Sequence, residues 1–349
     1  MEKWGNRVHE GSVDPSLGPD DKRVDSGVIT APSVSVVIVT FYTGPLLWRS
    51  VHAALEQSSV KEVIVVDNGN WPATVSALVD MAALEPKMKL VTGQGNIGFA
   101  AGCNLGARAA EGQEIFILNP DAIVPAGAVD ILLEEGRAAA NGAPWMIGGR
   151  LINPDGTEQA GARRRTLTPW TALVEMTRLD RLAPRHPYFR RFNSHETPCP
   201  GKTIQMPVIS GACMLMPRMD YFAIGGMDEG YFLHAEDIDF CLRFRADGGR
   251  VLYTPKADIL HMKSSSRANK VKVERLKAQS LNRYFRRHYP TQYPLGFVSF
   301  VCGLVWVGFG LRALKSVGGS ALALLGVNRR HGFGGLGRAI RAARRTNNR

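Results

Sequence analysis

Val34 to Thr40 reads VSVVIVT, seven residues without a charge and dominated by β-branched side chains. Such a run offers no face to water, so it marks a strand covered on both sides, as in a parallel sheet flanked by helices. Comparable strands are read at Val63–Val66, Lys89–Thr92 and Glu114–Leu118. Between them the apolar spacing turns helical: Leu46, Leu47, Val51, Ala54 and Leu55 after Gly44-Pro45, then Ala73–Leu84, then Ile97–Ala110. Four strand-and-helix alternations predict an α/β fold with a mostly parallel sheet and helices on both faces.

The pattern continues with a helix from Pro125 to about Ala140 and strands at Gly148–Ile152 and Ile204–Met216. An amphipathic helix, Ala235–Ala246, ends at Gly248-Gly249, and strands follow at Arg250–Tyr253 and Asp258–Leu260. The segment from Arg163 to Lys202 is rich in Arg, Pro and His with weak periodicity, and is expected to be a mobile basic excursion over the site.

Of 349 residues, 45% are hydrophobic and 21% charged, which excludes a disordered chain. The net charge of +12 is confined to one end: Arg275 to Arg349 holds fourteen Lys/Arg and no Asp or Glu. A region of one sign implies an anionic surface as partner. Within it Pro294–Leu311 runs eighteen residues without a charge, at the lower limit for a spanning helix. Basic residues flank it on both sides, so a single span would strand one cluster outside, against the positive-inside preference. A helix lying on or dipping into the cytoplasmic leaflet is the favoured reading; a buried helix of the soluble domain is the alternative. The apolar run favours lipid over nucleic acid, and no nucleic acid is expected as a partner. Residues 1–30 read as a disordered leader, 31–270 as the α/β domain and 271–349 as the basic extension, with apolar segment 294–311. Five scattered cysteines without a Cys-x-x-Cys pair argue for reduced thiols.

Three strands deliver polar residues at their carboxyl ends: Thr40, Asp67-Asn68, and Asn119-Pro120-Asp121. In an open α/β sheet these ends line the ligand crevice. Asp121 there is suited to a hard divalent cation, and Asp67 either caps a turn or accepts hydrogen bonds from a base or ribose. Gly93-Gln94-Gly95-Asn96-Ile97-Gly98 matches the dinucleotide pattern G-x-G-x-x-G, with an acid further on at Asp121. It sits on the third strand rather than the first, and Gly98, Gly102 and Gly106 share one helical face, which fits close helix–sheet packing better. Glu236 and Asp237 open a helix, where the macrodipole favours their charge and where a carboxylate can act as general base. Asp239 is read as structural, pairing with Arg243 on the helix surface. His261, at a strand end before Met262-Lys263-Ser264-Ser265-Ser266, reads as a metal ligand.

In order, the segments VSVVIVTFY, VIVVDNGN, GNIGFAAGCNLG, FILNPDAIV, ISGACMLMPR, GGMDEGYFLHAEDIDFCLR and ILHMKSSS resemble the inverting family-2 glycosyltransferases of the GT-A fold, nearest to bacterial rhamnosyltransferase-like members. The resemblance spans about Val34 to Ser266. It implies a nucleoside diphospho-sugar donor (dTDP-rhamnose first, a UDP-sugar second) held through Mg or Mn, and a glycan or lipid-linked acceptor at the cytoplasmic side of the bacterial inner membrane. Asp237, with Glu236 beside it, is then the catalytic base, and Asp121 and His261 are the metal ligands. Thr40, Asp67, Asn68, Asn96, Gly98 and Asn119 then form the donor site, although Asn119 stands where many members carry a first Asp. Two other readings are a nicotinamide-dependent oxidoreductase built on GQGNIG and a catalytically silent sugar-nucleotide binder.

Overall fold

The computed structural model describes residues 34–183, 186–262 and 269–324, with side chains in the last helix described as far as Leu314. The expected leader, the Lys263–Ser266 loop and the terminal arginines lie outside the described residues.

Strands β1 (Val34–Thr40), β2 (Val60–Asp67), β3 (Met88–Val91) and β4 (Glu114–Leu118) are all parallel, in the spatial order β3-β2-β1-β4. Helices α1 (Leu46–Leu55), α2 (Pro72–Leu84) and α3 (Phe99–Ala109) are the crossovers. Strand order reverses beside β1, so the crevice opens where Thr40, Asp67 and the end of β4 lie together. Every residue of β1 and β4 is buried, as runs without a solvent face require.

Past β4 the sheet becomes mixed. The short β5 (Ala122–Ile123), helix α4 (Ala128–Ala140) and strand β6 (Trp145–Ile152) come next. The region expected to be a mobile excursion is instead folded. Its β7 (Arg163–Arg164) is antiparallel to β9 (Val208–Ile209), and α5 (Pro169–Thr177) starts at a capping box in which Thr168 and Thr171 bond each other's backbone. The run expected as one strand from Ile204 to Met216 is broken by Pro207 and by Ser210-Gly211, whose loop directs the chain elsewhere. It forms β8 (Ile204–Gln205) on β11, β9 on β7, and β10 (Cys213–Pro217) antiparallel to β4 and β6. Conversely, the two strands expected at 250–253 and 258–260 are one, β11 (Arg250–His261), carried across by a register shift on β6.

The remaining helices are α6 (Arg218–Ala223), α7 (Glu236–Ala246), α8 (Lys270–His288) and α9 (Phe297–Leu324). The first part of α9 joins the core through Val301, Cys302 and Val305. All five cysteines are free thiols.

The glycine face of α3 explains how closely that helix sits on the sheet. A Cβ on Gly106 would run into a Val37 methyl, and one on Gly102 would stand 2.7 Å from Val39. Both positions therefore exclude a side chain, and the packing reading of this face is the one realised. Gly98, at φ +90°, abuts the backbone of Phe232 instead.

Candidate active site

One half of the site is assembled by β5 pairing antiparallel with the end of β11, with Ala122 opposite His261. That pairing brings Asp121 and His261, 140 residues apart in sequence, to 3.1 Å between Oδ1 and Nε2. Asn119 Nδ2 lies 3.3 Å from the same ring nitrogen. The far side of the ring is held by Gln159. Its Nε2 donates to His261 O at 3.0 Å and to Asn153 Oδ1 at 3.1 Å, so the oxygen Oε1 is the atom facing Nδ1, at 2.6 Å. Nδ1 therefore carries the proton, and in the neutral ring Nε2 turns its lone pair to Asp121. A second proton on the ring or a bound cation satisfies the contact between this nitrogen and the carboxylate. Their spacing also matches the edge of an octahedron with metal–ligand bonds near 2.1 Å, about 3.0 Å. A carboxylate and an imidazole whose second ring nitrogen is hydrogen-bonded are a donor pair that fits a divalent cation. Among the described residues no third His, Cys, Asp or Glu joins the pair.

Beside it, the loops after β1 and β2 are tied together. Asp67 is buried and accepts from the Asn70 backbone N–H at 2.8 Å, from Asn70 Nδ2 at 2.7 Å and from the Thr92 hydroxyl at 2.8 Å. Burial pushes this carboxyl up, but the Asn70 and Thr92 hydrogen bonds outweigh it and hold the group below the usual carboxylate range. Asn70 Oδ1 in turn accepts from the Tyr42 N–H at 2.6 Å. Thr40 is fully buried with its hydroxyl 3.1 Å from that of Thr43. Asn68 points inward and donates to Gly98 O at 2.8 Å, while Asn96 Oδ1 receives the Gly98 N–H at 3.1 Å. The six residues read from the sequence as donor-binding are thus divided. Thr40, Asp67, Asn68, Asn96 and Gly98 shape the rim through loop contacts, and Asn119 stands beside the Asp121–His261 pair.

The other half is the start of α7. His234 and Ala235 both sit in the left-handed region, at φ 67° and 65°, a strained pair for non-glycine residues. They are held there because Phe232 O accepts from the Phe99 N–H at 2.8 Å and Leu233 O accepts from the Ser280 hydroxyl at 2.9 Å. The turn sends Asp237 toward Arg164, whose Nη2 donates to Oδ2 at 2.5 Å and also to Ile209 O at 2.6 Å. The Gly211 N–H donates to the same carboxylate oxygen at 3.1 Å. Burial raises the Asp237 carboxyl, but the Arg164 charge beside it dominates and keeps it ionised below its ordinary range. Glu236 behaves in the opposite sense. It is buried, its Oε2 has no hydrogen-bond partner, and burial with the neighbouring Asp237 charge pushes its carboxyl up toward the neutral form. Of the two acids, only Asp237 has an environment that maintains a carboxylate at neutral pH.

Asp239 differs from expectation. It does pair with Arg243, at 2.7 Å, yet not on the helix surface: its side chain is fully buried and also takes the His288 Nε2 contact at 2.6 Å. The amphipathic spacing placed the pair on the right helix, and α8 covers it.

A single loop joins the two halves. Gly211 N–H bonds Asp237, and the next residue, Ala212, accepts the Asn119 N–H at 3.0 Å. Gly211, Arg164 and Gln159 were not singled out from the sequence. Only Arg164 left a trace there, in the Arg163-Arg164-Arg165 tract of the basic excursion.

Residues 35–219 match the family described as Glycosyl transferase family 2. The N-acetylglucosaminyl-diphospho-decaprenol L-rhamnosyltransferase of Mycobacterium tuberculosis is 28% identical over 247 residues, covering 66% of this chain and 76% of the relative. The O-antigen biosynthesis protein RfbC of Myxococcus xanthus is 27% identical over 276 residues, 75% of this chain but 20% of that protein. The mannosyltransferase PcManGT of Pyrobaculum calidifontis, solved with GDP-Man and Mn2+, superposes with a TM-score of 0.50 at 16% identity, covering 90% of this chain and 80% of its own. That likeness carries the fold, the GT-A arrangement of a mostly parallel sheet.

Proposed function

The chain belongs to glycosyl transferase family 2, and on that premise we propose that it is an inverting, metal-assisted enzyme that moves a sugar from a nucleoside diphosphate to a hydroxyl of a lipid-linked glycan. Rhamnosyl is the favoured sugar, because the relative matched over 76% of its own length is by name an N-acetylglucosaminyl-diphospho-decaprenol L-rhamnosyltransferase. The setting is cell-surface polysaccharide synthesis at the cytoplasmic face of a bacterial inner membrane. Residues 31–270 are proposed as the transferase domain and 271–349 as the membrane-associating extension.

The observation that carries this reading is the pairing of two opposite electrostatic environments on one loop. Asp121 and His261, with Asn119 alongside, would hold a divalent cation, which when bound offsets the negative charge growing on the departing diphosphate. Across the loop, Asp237 faces the acceptor side as an ionised carboxylate. The acceptor oxygen forms its bond to the anomeric carbon while the bond from that carbon to the phosphate oxygen breaks and its electron pair leaves with the diphosphate. The hydroxyl proton passes to Asp237, and a single displacement inverts the anomeric centre. Arg164 and the Gly211 N–H hold Oδ2, while Oδ1 takes a single hydrogen bond, from the Ile238 N–H at 2.9 Å, and is the accepting atom in this reading. The low basicity that Arg164 imposes is tolerable because the hydroxyl turns acidic as its new bond forms. Asp67, Asn68, Asn96, Gly98 and Thr40 order the loops that would receive the nucleoside.

A panel of nucleotide-sugars, each scored for thermal stabilisation with and without Mn2+ and then for transfer, tests the proposal. Metal-dependent stabilisation by one sugar nucleotide is the expected result; stabilisation by NAD(P) alone would overturn it.

A further inference from the structure

From the sequence, the apolar segment near the C-terminus can span, dip into or pack beside a membrane. The structure separates these cases through the way α9 is docked. Residues Phe297–Leu314 are apolar enough to cross, with a mean hydropathy of 1.9. Yet Val301, Cys302 and Val305 are buried against the domain, at 0%, 2% and 3% exposure. Two turns past the end of the buried set, Arg312 Nε is ion-paired with Glu274 of α8 at 2.5 Å. Cys302 lies beside Arg286 near the other end of α8, so the two helices run antiparallel. About 17 Å of α9, at 1.5 Å per residue from Val301 to Arg312, is thus fastened to its neighbour. That neighbour cannot enter hydrocarbon, because eight of its nineteen residues are Lys, Arg or Glu. A spanning α9 would have to strip its buried face from α8 and break the Arg312 pair.

The opposite face of α9 is also apolar, and it is bare. Phe300, Val307, Leu311 and Leu314 are 56%, 58%, 57% and 71% exposed and follow one another at intervals of seven, four and three residues. That spacing makes a single stripe directed away from α8, wider and longer than the scattered apolar residues of an ordinary surface. We propose that α9 lies in the plane of an anionic bilayer, with this stripe among the acyl chains and its other face kept on the protein. Charge argues for lipid rather than another apolar partner. Exposed Lys272, Arg275 and Arg286 ride on the adjacent helix, and the 25 residues after Leu324 carry seven arginines and no acid.

The docking also fixes which side of the protein meets the membrane. Tyr284 and Tyr289 donate to Leu167 O, three residues past Arg164, and Ser280 donates to Leu233 O, just before Glu236. The helix pair is therefore braced on the Asp237 side of the crevice and not on the β2–β3 side. If Asp237 is the base, as the transferase reading above holds, a lipid-linked acceptor is delivered from the membrane directly to it.

The test is flotation of the full chain with vesicles of phosphatidylcholine and phosphatidylglycerol, compared with phosphatidylcholine alone, with no sugar donor or acceptor present. The wild type is expected to float with the anionic vesicles and to be released by alkaline carbonate. The double variant V307E/L311E, on an exposed face, should melt normally and lose binding by about tenfold, while Leu84→Glu at the end of α2 should change nothing. Three results would overturn the proposal: unaltered vesicle binding by the double variant, carbonate-resistant insertion of the wild type, or a halving of the solution mass in the variant with vesicle binding intact. The last would mean that a second copy covers the stripe. Because no sugar transfer is read, failure of the transferase reading would leave this result standing, and the reverse also holds.

Discussion

Arg164 and Asp237 form an ion pair at 2.5 Å in which both side chains are close to fully buried, at 11% and 13% exposure. A buried pair of this kind is strongly coupled to its neighbours, and removing one partner leaves the other charge without compensation. Its effect on the site is to set how readily Asp237 accepts a proton.

Replacing Asp237 by Asn keeps the shape and the Gly211 hydrogen bond but removes the proposed proton acceptor. Transfer should fall by about 10²–10⁴-fold while calorimetric binding of the selected sugar nucleotide stays within a small factor of wild type. Equal loss of both would assign Asp237 to donor binding.

Arg164→Gln removes the cation that depresses the Asp237 carboxyl. The base must be ionised to work, so raising its pKa moves the acidic limb of the kcat/KM profile to higher pH. Arg164→Lys should restore much of the limb. A uniform drop in kcat/KM at every pH, with the limb unmoved, would reduce Arg164 to a purely structural role.

Gln159→Leu takes away the acceptor that fixes the His261 tautomer without touching a proposed ligand. Mn2+ affinity, titrated on the protein alone, should weaken by about 10–100-fold, and His261→Ala or Asp121→Ala should abolish it. Binding of Mn2+ by all three variants as in wild type would place the cation elsewhere.

Asp239→Asn should destabilise the fold by about 3–5 kcal/mol, because it leaves Arg243 and His288 facing an uncharged amide. In the wild type burial raises the Asp239 carboxyl, but His288 and Arg243 prevail and lower it. A carboxyl depressed on folding contributes its full stability above the unfolded value of about 3.9 and loses it as pH falls through the lower folded value. The wild-type melting temperature should therefore drop in acid below about pH 4, and the drop should be smaller in the variant.

Gly106→Ala forces a methyl group into the Val37 side chain and should cost about 1–3 kcal/mol, read as a lower denaturation midpoint. Sugar-nucleotide affinity in the folded variant should be unchanged, as expected for a glycine that seats a helix and contacts no ligand.

The parallel half of the sheet was legible because β1, β2 and β4 are buried on both faces, and a strand with no wet side leaves a run that nothing else mimics over so short a length. The placement of Asp121, Asp237 and His261 near strand ends and a helix start was legible, because those are positions where local chemistry constrains the residue. Arg164 was not, since its bond to Asp237 joins residues 73 apart and no local pattern encodes that meeting. The same applies to the three short strands between Ile204 and Pro217: each takes its partner from a different part of the chain, and one apolar stretch of sequence cannot show where those partners lie. The folding of β7 and α5 within the basic segment was hidden for a related reason. Its helix is held by a local cap and by α9, more than a hundred residues away.

Gly211 and Ala212 grip Asp237 and the backbone of Asn119 from neighbouring positions in one loop. The spacing between the two halves of the site is therefore set as the chain folds, before any ligand arrives. Inserting one residue between Ser210 and Ala212 would leave both ends chemically intact and put them out of step.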